Sequence, residues 1–285
     1  MIAITGATGQ LGRLVIDHLL ARVPASNLVA IVRDPAKAAD IAARGVTVRQ
    51  ADYSDPASLA TALSGIEKLL LISSNEVGNR TNQHAHVIDA AKSAGVKFLA
   101  YTSVLHADRS QLGLAEEHRQ TEAYLTASGL PFAILRNGWY TENYAASIPT
   151  ALAHGALVGG ADEGRISSAA RTDYAEAAAI VLTRPVEPGS IYELAGDSAY
   201  TLADLAAEVS RQSGKDIPYR DLTEEAYRTL LIGAGLPEAF ASLLADSDAA
   251  ASRGALFDDS GELGTLLGRP TTPLAETVRQ TLGKD

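Results

Sequence analysis

Residues 4–15 read ITGATGQLGRLV, a short apolar run followed by glycines at positions 6, 9 and 12. The opening MIAITG is apolar, β-branched and closed by glycine, which suits a strand buried on both faces. Residues 10–22, QLGRLVIDHLLAR, set Leu11, Leu14, Val15, His18, Leu19 and Arg22 at helical spacing. A glycine-rich turn between such a strand and such a helix lets backbone approach a pyrophosphate. The glycines permit the tight turn and the close packing, and the helix N-terminus adds partial positive charge. The spacing is Gly-x-x-Gly-x-x-Gly rather than Gly-x-Gly-x-x-Gly, and the Gly-Lys-Ser/Thr of a triphosphate-binding loop is missing. A dinucleotide is therefore the expected ligand, with a plain tight turn as the alternative.

The same rhythm continues along the chain. Strands are expected at 27–33, 46–53, 68–74, 97–103 and 131–137, with helices at 35–45, 55–66, 80–95 and 114–128. Alternation of this kind predicts a Rossmann-like, doubly wound, mostly parallel sheet with helices on both faces. Beyond residue 138 the rhythm loosens. A helix at 172–184 and a strand at 190–196 are followed by helices at 201–213, 223–234, 237–251 and 273–283, which reads as a smaller, mostly helical α/β domain.

Composition narrows the function. With 24 basic against 34 acidic residues the net charge is −10, and no Lys/Arg cluster stands out, which argues against nucleic acid as a partner. The chain has no cysteine, so disulfides, thiolate catalysis and Cys-ligated metal are excluded. His84 and His86 are two apart on an expected helix and face different ways, so no metal site is expected. No apolar run approaches the length of a membrane span, and no leader precedes MIAITG, so a cytoplasmic protein is expected.

The end of the second strand discriminates between dinucleotides. An acidic residue there hydrogen-bonds a ribose 2′-hydroxyl, whereas an arginine accommodates a 2′-phosphate. The sequence reads AIVRDP, with Arg33 favouring NADP and Asp34 either turned aside or opposing it. Ligands in such sheets bind beyond the carboxyl ends of the strands. Those ends are Asp52-Tyr53, Ser73-Ser74-Asn75, Thr102-Ser103 and Asn137-Gly138, all small or polar except the tyrosine. Just past the sixth strand, Trp139, Tyr140 and Tyr144 offer flat faces to a planar substrate, with packing as the equal alternative.

On AITGATGQLG, VPASNLVAIVRDPAKA, VRQADYSD, KLLLISS, AGVKFLAYTS, LRNGWYTENY and YELAGDSAYTLADLA, the chain resembles the NmrA-like group of atypical short-chain dehydrogenase/reductases. Within that group it is similar to the bacterial type 2 NAD(P)H:quinone oxidoreductases and next to the triphenylmethane dye reductases. The resemblance runs the full length. It implies an NADP-binding Rossmann domain at 1–137, with segments near 150–185 returning to it, and a smaller substrate-cap domain at 138–285. It implies NADPH between them and neither metal nor flavin. Carried onto matching positions, Gly6, Ala7, Thr8, Gly9, Gln10 and Leu11 cradle the pyrophosphate and Arg33 meets the 2′-phosphate. Asp52 joins the cofactor set, and Ser73, Ser74 and Asn75 flank the ribose. Asn137, Gly138, Trp139, Tyr140, Thr141 and Glu142 lie near the nicotinamide, with Arg171 an addition.

One departure bears on mechanism. Most of the wider superfamily donates a proton from a Tyr-x-x-x-Lys pair, and the helix that should carry it reads EEHRQTEAYL, with His118 and Glu122 roughly in those places. A glutamate cannot supply the cation that lowers a tyrosine pKa. Quinone reduction does without the pair, because the acceptor takes hydride readily and its product can be protonated by water. His118 is the one candidate proton donor, against its being a surface histidine. The sequence thus predicts an NADPH-dependent reductase of quinones or similar electron-poor planar acceptors. The alternative is an NADP(H)-binding redox sensor acting through a protein partner.

Overall fold

In the computed structural model, residues 1–283 are described. Nine strands form among the described residues: β1 (Ile2–Ile4), β2 (Leu28–Val32), β3 (Thr47–Gln50), β4 (Lys68–Leu71), β5 (Phe98–Val104), β6 (Phe132–Asn137), β7 (Leu157–Gly159), β8 (Ser190–Leu194) and β9 (Tyr219–Asp221). Seven of them make one sheet in the order β3-β2-β1-β4-β5-β6-β8, and every pairing from β3 through β6 is parallel. The order reverses between β1 and β4, the switch point beyond which open α/β sheets hold their ligands. The helices α1 (Gln10–Leu20), α2 (Ala39–Ala43), α3 (Pro56–Ala62), α4 (Arg80–Ser93) and α5 (Ala115–Ser128) make the crossovers.

Burial explains the apolar strands. Alternate residues Ala3, Val29, Ile31, Leu69, Leu71, Leu99, Tyr101 and Ile134 pack with Leu59, Leu63, Val87, Ile88 and Leu125 of the helices. Their neighbours Ile4, Leu28, Ala30 and Leu70 are also fully buried, so the sheet is covered on both faces, as parallel sheets require.

The chain divides into two units. The first comprises Met1–Ala107, Glu116–Asn137 and Thr172–Tyr192; the second comprises Asp108–Ala115, Gly138–Arg171 and Glu193–Asp285. The stretch that returns to the first unit is thus 172–192, later than the expected 150–185, because its helix Arg171–Thr183 leads into strand β8. The second unit holds the parallel pair β7–β9 and is otherwise mainly helical. Its helix Leu202–Ser213 opens with a capping box in which Thr201 and Asp204 satisfy each other's backbone N–H.

Several expected elements are shorter than their sequence pattern, among them the 55–66 helix, which spans Pro56–Ala62, and the 68–74 strand, which ends at Leu71. The 35–45 helix is a 3₁₀ turn, Pro35–Ala38, followed by the five-residue α2. The 46–53 strand stops at Gln50, because Asp52 turns the chain by accepting from the Ser54 N–H at 2.8 Å. No helix among the described residues is long and apolar enough to cross a membrane.

Candidate functional site

The glycine loop is built as its spacing requires. Gly6 takes φ +59°, a conformation that costs other residues about 1–2 kcal/mol, and the Gly9 N–H returns to its carbonyl at 2.9 Å. A Cβ on Gly12 would stand 2.4 Å from the Gly6 carbonyl oxygen and 2.8 Å from Ala7 Cα, so only glycine lets α1 lie against the loop. Arg13 fixes the loop from behind: its Nε donates to the Thr8 carbonyl at 3.2 Å, and its guanidinium pairs with Asp40. Gly6, Gly9 and Gln10 are exposed, whereas Ala7 and Leu11 are buried and offer only backbone. The cap of α1 is Gly9, which has no side chain, and the first turn holds no acidic residue. The helix therefore keeps its positive end for an external anion.

Arg33 follows β2 and exposes 62% of its side chain. Its Nη1 donates to Glu76 Oε1 at 3.1 Å. Asp34 is the residue that turns aside: its carboxylate accepts from the Ala36 N–H at 3.0 Å and caps the 3₁₀ turn. Asp52 is half-buried and occupied by its own turn, while the Tyr53 hydroxyl bonds to Thr5 Oγ1 and the Ile72 carbonyl beneath Gly6.

Beyond β4, the three predicted residues divide. The Ser73 N–H donates to Thr102 Oγ1 at 2.9 Å, and Asn75 is exposed. Ser74 is spent on structure: its hydroxyl donates to Gln83 Oε1 and accepts from the Glu76 N–H, and its carbonyl accepts from Arg80 Nε at 2.7 Å. Its N–H donates to His84 Nε2 at 2.9 Å, which puts the imidazole proton on Nδ1, toward Thr121 Oγ1 at 2.9 Å. Burial lowers the His84 pKa to about 3. His86 is separate, with Nδ1 3.0 Å from the Tyr53 carbonyl.

His118 is not a surface histidine. It is buried, with Nδ1 2.7 Å from the Tyr101 hydroxyl and Nε2 3.3 Å from Arg80 Nη1. A guanidinium only donates, so Nε2 accepts and the proton sits on Nδ1. Burial and then the Arg80 charge hold its pKa well below the ordinary histidine range. A general acid must be protonated near the working pH, so this environment disfavours proton donation from His118. Glu122, four residues on, is buried in a two-pronged pair with Arg136, whose Nε and Nη2 reach its oxygens at 3.0 and 2.7 Å. Ser103 Oγ donates to the same carboxylate at 2.5 Å. Sequence reasoning missed Arg136. Its signal was a lone charge in the apolar strand FAILRN, which implies a buried partner. Next to it, Asn137 carries a buried Oδ1 that accepts no hydrogen bond.

In the second unit, residues 138–142 are stitched to 168–171. Tyr140 bridges Ala169, the Thr141 N–H donates to the Ala169 carbonyl at 2.9 Å, and Thr141 Oγ1 is 2.8 Å from Ser168 Oγ. The Gly138 N–H donates to the Leu194 carbonyl at 2.7 Å. Glu142 accepts from the Arg171 N–H through both oxygens at 2.9 and 3.0 Å, and the Arg171 guanidinium lies 4.5 Å from the Tyr140 ring centroid. Trp139 is buried with its ring 6.3 Å from that of Tyr144, and the Tyr144 hydroxyl donates to Asp248 at 2.9 Å. Trp139 is thus packed against Tyr144, and Tyr140 and Tyr144 are half-buried.

The first unit suits a phosphorylated dinucleotide. It has an uncapped, anion-ready helix start, an exposed arginine at the β2 end and an unsatisfied buried acceptor at the β6 end. Among the described residues no group of His, Asp or Glu is placed to hold a metal. The NAD(P)H-binding family model matches residues 6–185. The chain is 60% identical over 278 residues to quinone oxidoreductase 2 of Escherichia coli (strain K12), covering 98% of this chain and 97% of that protein. It superposes at TM-score 0.97 on the crystal structure of the NADPH-dependent quinone oxidoreductase of Escherichia coli complexed with NADPH, at 60% identity over 99% and 100% of the two chains. The triphenylmethane reductase of Citrobacter sp. complexed with NADP(H) follows at TM-score 0.95 and 41% identity, over 99% and 100%.

Proposed function

We infer the activity from one premise: the chain belongs to the NAD(P)H-binding family that includes quinone oxidoreductase 2. It is an NADPH-dependent oxidoreductase that passes hydride to quinones or similar electron-poor planar acceptors. One observation carries the reading: full-length identity of 60% to such an enzyme coincides with an exposed Arg33 where a 2′-phosphate reader belongs.

Bound NADPH supplies the hydride. The residues of this chain do the holding. The backbone of Gly6 to Leu11 and the start of α1 take the pyrophosphate, Arg33 takes the 2′-phosphate, and Asp52, Ser73 and Asn75 border the ribose side. Ser74 acts through its neighbours, keeping the loop after β4 in place. The orphaned Asn137 Oδ1 is assigned a donor on the carboxamide side, which recovers about 1–3 kcal/mol of desolvation cost. For Gly138 to Glu142 and Arg171, in the second unit, a role toward the cofactor rests on the family resemblance. Trp139, Tyr140 and Tyr144 are assigned to the planar acceptor, the Trp139 ring lying 6.3 Å from that of Tyr144.

No proton has to come from the protein. His118 is neutral and fully engaged, so the reduced acceptor takes its proton from water, and catalysis rests on positioning. The reading implies a small-molecule substrate, no nucleic-acid partner and a cytoplasmic setting. The test is NADPH oxidation at 340 nm with and without a simple benzoquinone, with NADH in parallel. Acceptor-dependent turnover that prefers NADPH is expected. Tight NADPH binding without turnover, across several quinones and cationic dyes, would overturn the reductase and leave a sensor.

A further inference from the structure

The loop after β4 carries a charge that faces the wrong way for a protein that binds an anion. Glu76 stands two residues past Ser74, and its Oε1 accepts from Arg33 Nη1 at 3.1 Å. Its other oxygen, Oε2, accepts from Gln83 Nε2 at 2.7 Å. Gln83 is itself buried and held by Ser74 and by Ser54 Oγ at 3.0 Å. The Glu76 N–H also donates to Ser74 Oγ at 3.1 Å. The carboxylate is therefore gripped from the far side of Arg33, by an amide that has no slack to follow a moving arginine.

Two consequences follow from elementary electrostatics. A guanidinium already paired with a carboxylate attracts a second anion less, because part of its charge is neutralised and one donor is occupied. When a phosphate takes Arg33, the carboxylate stays nearby as a like charge, since Gln83 keeps its grip. Both effects act on a ligand with a 2′-phosphate and leave one with a 2′-hydroxyl nearly untouched. Discrimination between two ligands is set by repulsive groups as much as by attractive ones.

We propose that Glu76 is a specificity-determining residue that competes with the 2′-phosphate for Arg33 and so limits the preference for NADPH over NADH. The proposal rests on the assignment of Arg33 to the 2′-phosphate, and its test separates the two.

The measurement is calorimetric titration of the whole protein with 2′,5′-ADP and NADP⁺, and with 5′-ADP and NAD⁺ as the phosphate-free controls. The wild type is compared with Glu76→Gln, Glu76→Ser and Arg33→Gln. Both Glu76 variants should bind 2′,5′-ADP and NADP⁺ about 3- to 10-fold more tightly, with 5′-ADP and NAD⁺ within twofold, as expected for removing an exposed ion pair and one nearby charge. Arg33→Gln should weaken only the 2′-phosphorylated ligands. A misfolded variant cannot gain affinity, so the gain itself is the diagnostic. If Arg33→Gln weakens 2′,5′-ADP while both Glu76 variants leave it unchanged or weaker, Glu76 orients Arg33 instead and the proposal is overturned. If Arg33→Gln changes nothing, the Arg33 assignment fails and the proposal falls with it.

Discussion

Arg136 and Glu122 are 9% and 10% exposed, so each offsets the desolvation cost of the other's buried charge. Ser103 donates to Glu122 but cannot neutralise it. Arg136→Met should therefore cost about 3–5 kcal/mol, the range for breaking one side of a buried pair. Replacing both partners, Glu122→Leu with Arg136→Met, should recover most of that loss, because no unpaired charge remains. Urea titrations of the two single variants and the double variant close the cycle, and additive losses would mean that the pair is not coupled. His118 gives a second prediction at this scale. A general acid contributes 10²- to 10⁴-fold, and a residue outside the chemistry contributes far less. His118→Gln keeps a group able to bond Tyr101, so quinone turnover should fall by less than about tenfold with an unchanged pH profile. A loss of a hundredfold in kcat with an intact fold would restore His118 as the donor.

Elements are set by where the chain can approach itself. A Cβ at position 12 would lie inside the contact distance of both Gly6 and Ala7, and the clashing atoms are backbone, which cannot swing away. Gly12→Ala should push α1 off the loop, costing about 1–3 kcal/mol as overpacking does, and should weaken dinucleotide binding at the same time. Thermal unfolding and NADP⁺ titration on one preparation would check both losses, and unaltered binding would show that the loop holds its shape without α1 against it. These glycines were legible in the sequence because their spacing states a backbone requirement. The same holds for the buried strands, whose apolar runs reflect cover on both faces. The three-residue strands β7 and β9, reading LVG and YRD, carry no period long enough to detect, and they exist because each pairs with the other. The short helices Thr141–Ala145 and Ile148–His154 escaped for the same reason. In the candidate site, Arg33 was readable from its place after a strand, and the turning aside of Asp34 was one of two stated options. The pairing of Arg136 with Glu122 and the engagement of Ser74 depend on contacts between distant segments, which a linear pattern does not express.

The hydrogen-bonded histidines tie several elements into one titrating system. Ser74 after β4, His84 on α4, Tyr101 on β5 and His118 with Thr121 on α5 form two connected lines of bonds through the first unit. Both imidazoles accept through Nε2, so neither can take a proton there without losing a partner or facing a guanidinium. Their folded pKa values are depressed, to about 3 for His84 and well below the ordinary value for His118. In the unfolded chain each titrates near 6.5. Between those limits the unfolded state binds protons that the folded state refuses, so stability rises with pH across this window. The contribution is complete above about pH 6.5 and is lost progressively as pH falls below it. Each histidine supplies a slope of up to about 1.4 kcal/mol per pH unit. Urea unfolding of the wild type at intervals from pH 7 to pH 5 should show the steepening fall, before most carboxylates begin to titrate. His84→Gln keeps an acceptor for the Ser74 N–H and a donor for Thr121, but it cannot titrate. It should therefore remove about half of the slope while preserving the fold at pH 7. A slope as steep in His84→Gln as in the wild type would show that His84 takes its proton in the folded protein, and that the bond from Ser74 is broken to admit it.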